Sequence, residues 1–150
     1  MTPQQSSKHP KHYASKFKVY PANIQAVPTG VLTRIEMGSG VIFDTLNEID
    51  VALFQFQPQR AGYYFFYAAT AFQALNVGDE TEVHLYRNLV DERAARKAQT
   101  LVGDTPAQLS CILRLVPTDV VYVMGWHNFG ANRNVFNGVS LSCFEGFRVG

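Results

Sequence analysis

The sequence predicts an all-β domain, a sandwich or a barrel, and three observations carry this. Apolar and polar residues alternate in about eight to ten short runs, punctuated by Gly, Pro and Asn at regular spacing. No stretch carries a wide apolar stripe at helical spacing. Residues 62–67 read Gly-Tyr-Tyr-Phe-Phe-Tyr, a run of consecutive aromatic side chains suited to a pleated surface. At 150 residues the chain has the length of one domain with a sizeable core.

Taken in order, residues 1–16 are polar, with Pro3 and Pro10, and read as an arm. A short alternation over 17–20 closes at Pro21, and Val27-Pro28-Thr29-Gly30 makes a turn. Alternation resumes over 31–36, breaks at Gly38-Ser39-Gly40, and returns over 41–43 and 51–57, stopping at Pro58. The longest expected strand is 63–74, followed by a turn at Asn76-Val77-Gly78-Asp79. A strand over 82–88 comes next. Residues 89–100 hold good helix formers but no apolar stripe, and read as a polar loop or frayed turn. Strands are expected over 108–116 and 119–126, split by Pro117-Thr118, then a Gly/Asn loop over 128–134, then closing strands over 135–140 and 142–149.

The aromatic strand sets the main expectation. Successive side chains on a strand point to opposite faces, so Tyr63, Phe65 and Tyr67 share one face and Tyr64 and Phe66 the other. A sheet in a lone small domain usually hides one face and wets the other. Here both faces are apolar. One fills the core, and the other needs a cover, most simply another copy of the chain. Alternation does not say which is which, because a one-residue slip exchanges them.

Charge divides the chain. The first 35 residues hold Lys8, Lys11, Lys16, Lys18 and Arg34 and no acid, while the rest holds eight cations against twelve acids. A basic arm on an acidic body fits an anionic partner. The net charge of only +1 argues against general nucleic-acid binding. Cys111 and Cys143 are too few for a disulfide framework and read as buried thiols, with a single disulfide left open. The first ten residues lack the apolar core of a signal peptide, so none of the classical kind is expected. No apolar run reaches the length of about 18 residues that a membrane-spanning helix needs.

Ordered pieces of the chain resemble the C1q/TNF-like family, in particular its bacterial and phage members. Phe43-Asp44-Thr45, then 54–58, then Gly62-Tyr63-Tyr64-Phe65-Phe66 resemble the family's phenylalanine, proline, glycine, tyrosine, phenylalanine series. Val83-His84-Leu85-Tyr86-Arg87-Asn88 is similar to its next strand. Leu113-Arg114-Leu115 and Asp119-Val120-Val121-Tyr122-Val123 resemble its leucine pair and Gly-Asp-x-Val turn, with Thr118 in place of the glycine. Phe144-Glu145-Gly146-Phe147-Arg148 resembles its closing Phe-Ser-Gly-Phe strand.

The resemblance spans residues 17–150 and implies a ten-strand antiparallel jelly-roll sandwich that forms homotrimers through an apolar inner sheet. Tyr64, Phe66, Phe144 and Phe147 are then the candidates for core and trimer interface. No collagen-like Gly-X-Y repeat precedes the domain, so a complement-type subunit is not expected. The expected role is a non-enzymatic structural or adhesion module of a virus particle, of the capsid-decoration, fibre or tail kind in a bacteriophage. In that picture the arm, through Lys8, Lys11, Lys16 and Lys18, anchors the trimer to the virion. Loops around 76–80, 89–106 and 128–134, with Asp79, Glu80, Asn128, Asn132 and Arg133, face a host-surface ligand. The alternative is a bacterial C1q-like protein binding a carbohydrate or protein ligand.

Catalysis is not expected. His84 stands alone on its strand, His127 lies beside Trp126 and Asn128 at a strand end, and Cys111 has no neighbour that would activate a thiolate. No His-x-His pair offers a metal site. Some family trimers hold calcium near the axis, which makes calcium the one cofactor to consider. The loop acids Asp79, Glu80, Glu82 and Asp104 match no calcium-loop spacing.

Overall fold

The computed structural model describes residues 14–100 and 105–150. Among them the chain forms only strands: β1 (Lys16–Tyr20), β2 (Ala26–Val27), β3 (Thr33–Arg34), β4 (Gly40–Asp44), β5 (Ile49–Asp50), β6 (Gln55–Phe56), β7 (Gly62–Thr70), β8 (Glu80–Arg87), β9 (Val90–Ala98), β10 (Ala107–Leu115), β11 (Val121–His127), β12 (Arg133–Asn134) and β13 (Cys143–Arg148). An inner sheet has the order β10-β7-β13-β1-β4. An outer sheet has the order β5-β6-β11-β8-β9, with β3 also paired to β11. A small β12-β2 pair lies apart. All pairings are antiparallel.

The two sheets meet on a core of rings. Phe17, Phe56, Tyr64, Phe66 and Phe144 are fully buried. Phe17 stacks on Phe56 at 4.8 Å and meets Phe144 edge-on at 4.9 Å, and Phe66 meets Phe56 edge-on at 5.5 Å. Such pairs add about 0.5–1.5 kcal/mol each beyond their burial. The Tyr64 hydroxyl donates to the Arg60 carbonyl at 2.8 Å, so its polar end is satisfied. Gly146 makes this packing possible. A Cβ there would lie 2.6 Å from the Phe65 carbonyl oxygen and 2.9 Å from the Phe17 ring.

Several expected elements differ: the run over 31–36 keeps only β3, and the strand expected over 63–74 ends at Thr70. Residues 89–100 are not a loop, because β9 runs through most of them, paired along its length with β8. It is the edge strand of the outer sheet and largely exposed, so it never needed an apolar stripe. Cross-strand partners hold it instead: Arg96 pairs with Glu80 at 3.0 Å and with Glu82, and Asp91 meets His84 at 2.7 Å. Pairing overrides the helix propensity of Glu92-Arg93-Ala94-Ala95, and a charged edge resists joining other sheets.

The expected strand over 51–57 shrinks to β6. Asp50 Oδ1 accepts the Ala52 and Leu53 amides at 2.9 Å each and folds 51–54 into a turn, with Phe54 at φ 56°. Over 135–140 only Val135 bridges, to Phe72. The stretch that follows turns back, and Ser142 Oγ accepts the Ala71 amide at 3.1 Å. Among the described residues the count is thirteen strands rather than the expected ten, because five of them are two-residue fragments.

Candidate functional site

The five-stranded sheet leaves its outward face open, and the register shows what stands on it. Residues directly opposite in antiparallel strands share a face. One row runs Ile112, Phe65, Phe147, Lys16 across β10, β7, β13 and β1. The next runs Ser110, Tyr67, Glu145, Lys18, Phe43 across all five strands. Tyr63 faces Arg114 at the end. Ile112 is 59% exposed, Tyr63 52%, Phe147 48% and Phe43 40%. Phe65 and Phe147 pack ring to ring at 5.2 Å. A shallow hollow of about 370 Å³ opens among Lys16, Phe43, Phe65, Glu145 and Phe147.

Three of the polar groups on this face are engaged. Lys18 Nζ lies 3.7 Å from Glu145 Oε2. The Tyr67 hydroxyl donates to Gln108 Oε1 at 2.8 Å, and burial, then the neighbouring Cys143 and Glu145, pushes its phenol pKa up.

The four expected interface residues therefore divide. Tyr64, Phe66 and Phe144 point into the core, and Phe147 stands on the open face. Tyr63, Phe65, Phe43 and Ile112 join Phe147 there. Tyr63 and Phe65 are visible in the alternation of β7. Phe43 and Ile112 are placed by register, which the sequence does not give. Lys8 and Lys11 lie outside the described residues. Lys16 and Lys18 belong to β1, where they border the apolar rows.

The expected ligand-facing residues gather at one end of the sandwich, in two groups. The Glu80 amide donates to Asn128 Oδ1 at 2.8 Å and the Asn128 amide to the Glu80 carbonyl at 3.2 Å, tying the start of β8 to the loop after β11. Asp79 folds back on its own turn and accepts the Asn76 amide at 2.7 Å. Asn132 and Arg133 sit beside Gln73 and Ala74 around a separate recess. Residues 89–106 do not form one loop. Their first part is the β8–β9 tip, at the opposite end, where Asn88 is held by Val120 and Asp119. Asp104 lies outside the described residues.

Structural comparison decides the fold. The globular domain of zebrafish complement 1qA superposes with a TM-score of 0.68 at 13% identity, covering 92% of this chain and 98% of that one. Murine APRIL gives 0.67 at 11% identity, covering 91% and 100%. Eiger TNF from S. frugiperda gives 0.61 at 9%, covering 91% and 94%. The chain folds as a C1q/TNF-like jelly-roll domain. No family profile and no curated protein matches it by sequence.

Within this jelly roll the titratable groups serve structure. His84 Nδ1 lies 2.7 Å from Asp91 and Nε2 2.9 Å from Glu82. The two acids sit on opposite ring nitrogens and cannot converge on one ion. Among the described residues no three metal-ligating side chains do. Glu80 and Glu82 are engaged with Arg96. His127 is fully buried, donates from Nε2 to the Val27 carbonyl at 2.8 Å and packs on Phe72 at 4.8 Å. Both cysteines are free thiols, and burial, then nearby Glu145, pushes Cys143 up to about 11, far from a thiolate at neutral pH.

Proposed function

We propose that this jelly roll is a non-enzymatic structural and adhesion module that works as a homotrimer on a virus particle, as a capsid-decoration, fibre or tail component of a bacteriophage joined to the virion by its basic N-terminal arm. The open apolar face of the inner sheet carries the reading. Covering the exposed part of Phe43, Phe65, Ile112 and Phe147 contributes about 1 kcal/mol per side chain, roughly half of the about 1.5–3 kcal/mol for full burial, so rings from all three subunits are needed against the about 4–15 kcal/mol lost on association. A second and third copy supply that cover by symmetry. Lys8 and Lys11, with no acid before Glu36, suit docking of the arm on an acidic assembly, and the end bearing Asn128, Asn132 and Arg133 is left for a host surface.

Sedimentation equilibrium of the purified chain tests the trimer, with three-fold mass expected at micromolar concentration. A stable single subunit there sinks it. A chain lacking residues 1–13 keeps β1 and is expected to form the same trimer but no longer to co-purify with particles. Normal incorporation of that chain removes the anchor. Finding the protein on bacterial surfaces with no particle present would favour the bacterial ligand-binding alternative.

A further inference from the structure

We infer that the recess around Arg133 is a binding site for a carboxylate-bearing sugar. This deepens the adhesion part of the function proposed above and rests on it for its biological meaning. The recess holds about 240 Å³ and is lined by Gln73, Ala74, Asn132, Arg133 and Asn134. Its walls come from two distant stretches of chain, joined by the Phe72–Val135 bridge and by the Gln73 amide donating to the Asn134 carbonyl at 2.9 Å. The site is thus built by the fold and not by one mobile loop.

The chemistry of the lining is specific. The Arg133 guanidinium lies over the Phe129 ring, its carbon 3.4 Å from the centroid, with Nη1 donating to the Asn132 carbonyl at 3.2 Å. Stacking fixes the plane of the fork. Arg133 makes no ion pair among the described residues, whereas Arg87 and Arg96 on the outer sheet do. Its Nε–H is covered and has no acceptor. Among the described residues no acid lines the recess, and the side-chain amides of Gln73, Asn132 and Asn134 make no hydrogen bond. Ala74, in the same wall, holds φ at 57°, a left-handed conformation that costs a non-glycine residue energy and collects at functional positions.

A planar guanidinium without a counter-charge matches a carboxylate in two-point geometry. Three free amides, each both donor and acceptor, match hydroxyl groups around it. The volume lies below the range of about 300–1,000 Å³ typical of drug-sized pockets, so one ring fits and not a long oligomer. Those three demands together describe a uronic or sialic acid rather than a neutral sugar or an apolar peptide.

The test is a chemical-shift titration of the purified, isotope-labelled full chain with glucuronate, alongside glucose, inorganic phosphate and a short acidic peptide. Saturable shifts confined to residues 73–74 and 129–134 are expected with glucuronate, at least tenfold weaker binding for the other three, and weakening at high salt. Arg133→Ala is expected to lose tenfold or more, and Arg133→Lys to retain part of the affinity. Asn134→Asp leaves the stacked arginine in place and is expected to lose binding by repulsion, which covers the case in which Arg133→Ala misfolds. No saturable shift, unchanged affinity in Asn134→Asp, or equal binding of phosphate or acidic peptide overturns the inference. The titration uses no virus, so its failure is separate from failure of the particle-association experiment.

Discussion

The two outward faces of this sandwich are made of opposite materials. On the outer sheet, the charged and aromatic groups of β8 and β11 are answered by neighbours. Glu82 is gripped by His84 and Arg96, Arg34 lies 3.5 Å over the Tyr122 ring, Tyr122 stacks on Tyr86 at 5.6 Å, and Arg96 covers Trp126 at 5.5 Å. On the inner sheet, Phe65 and Phe147 find each other, and Tyr63, Phe43 and Ile112 stand half in water. One face is finished against solvent as a single chain. The other leaves rings half open to water, and the proposed trimer would cover them.

The contrast can be broken or sharpened by substitution, and β7 offers both sides of one strand. Phe66→Ala empties the core and is expected to cost about 3–5 kcal/mol in denaturant unfolding. A loss below 1 kcal/mol would mean that the core is not where the rings place it. One residue away, Phe65→Ser, or Phe147→Ser on β13, is expected to leave the fold intact and weaken trimerisation by about 1 kcal/mol per subunit, read as a rise in the dissociation midpoint with dilution. Tyr86→Ser on the outer sheet should leave subunit mass unchanged. Should Tyr86→Ser dissociate the trimer and Phe147→Ser not, the two faces have been assigned the wrong way round.

The acid response of the outer face is smaller. Burial works against the charged form of Glu82, but hydrogen bonds from His84 and Arg96, and their charges, outweigh it and hold its carboxyl below the ordinary carboxylate range. Its folded value is the lower one. Its contribution is therefore complete above the unfolded carboxylate pKa and is lost as pH falls through the folded value. Glu82→Gln should lower the thermal midpoint at pH 7 and leave it nearly unchanged at pH 2, flattening the profile. An identical profile in both proteins would remove that role. Smallest of all is Leu89→Ser at the β8–β9 tip. Leu89 is 90% exposed, so a change within about 0.5 kcal/mol is expected, and a larger one would reveal a contact at that tip.

How much of this could be read in advance depends on whether the signal is local. The alternation of Tyr63 to Tyr67 is local, and it gave both faces of β7 without naming the inner one. Register supplied that, by setting Phe66 against the Phe17 and Phe56 rings. The edge strand β9 was illegible because its stabilising partners, Glu80, Glu82 and His84, belong to β8, and its own residues satisfy a helix as well as a strand. The recess at Arg133 was half legible. Asn132 and Arg133 stand out in a Gly/Asn loop, but Gln73 and Ala74 reach them only through long-range pairing, and Phe129 under the guanidinium follows from no spacing rule.

The position of β13 carries one further consequence. It follows the twelve other strands of this domain in the chain, yet it occupies the middle of the inner sheet, between β7 and β1. Until residues 143–148 leave the ribosome, two half-sheets wait with bare edges and Phe17 lacks the Phe144 ring it later touches. Such long-range closure is slow, and the waiting state is exposed to aggregation. A nascent chain stopped just short of residue 143 should therefore be protease-sensitive along its whole length, and release of the final strand should protect all of it at once.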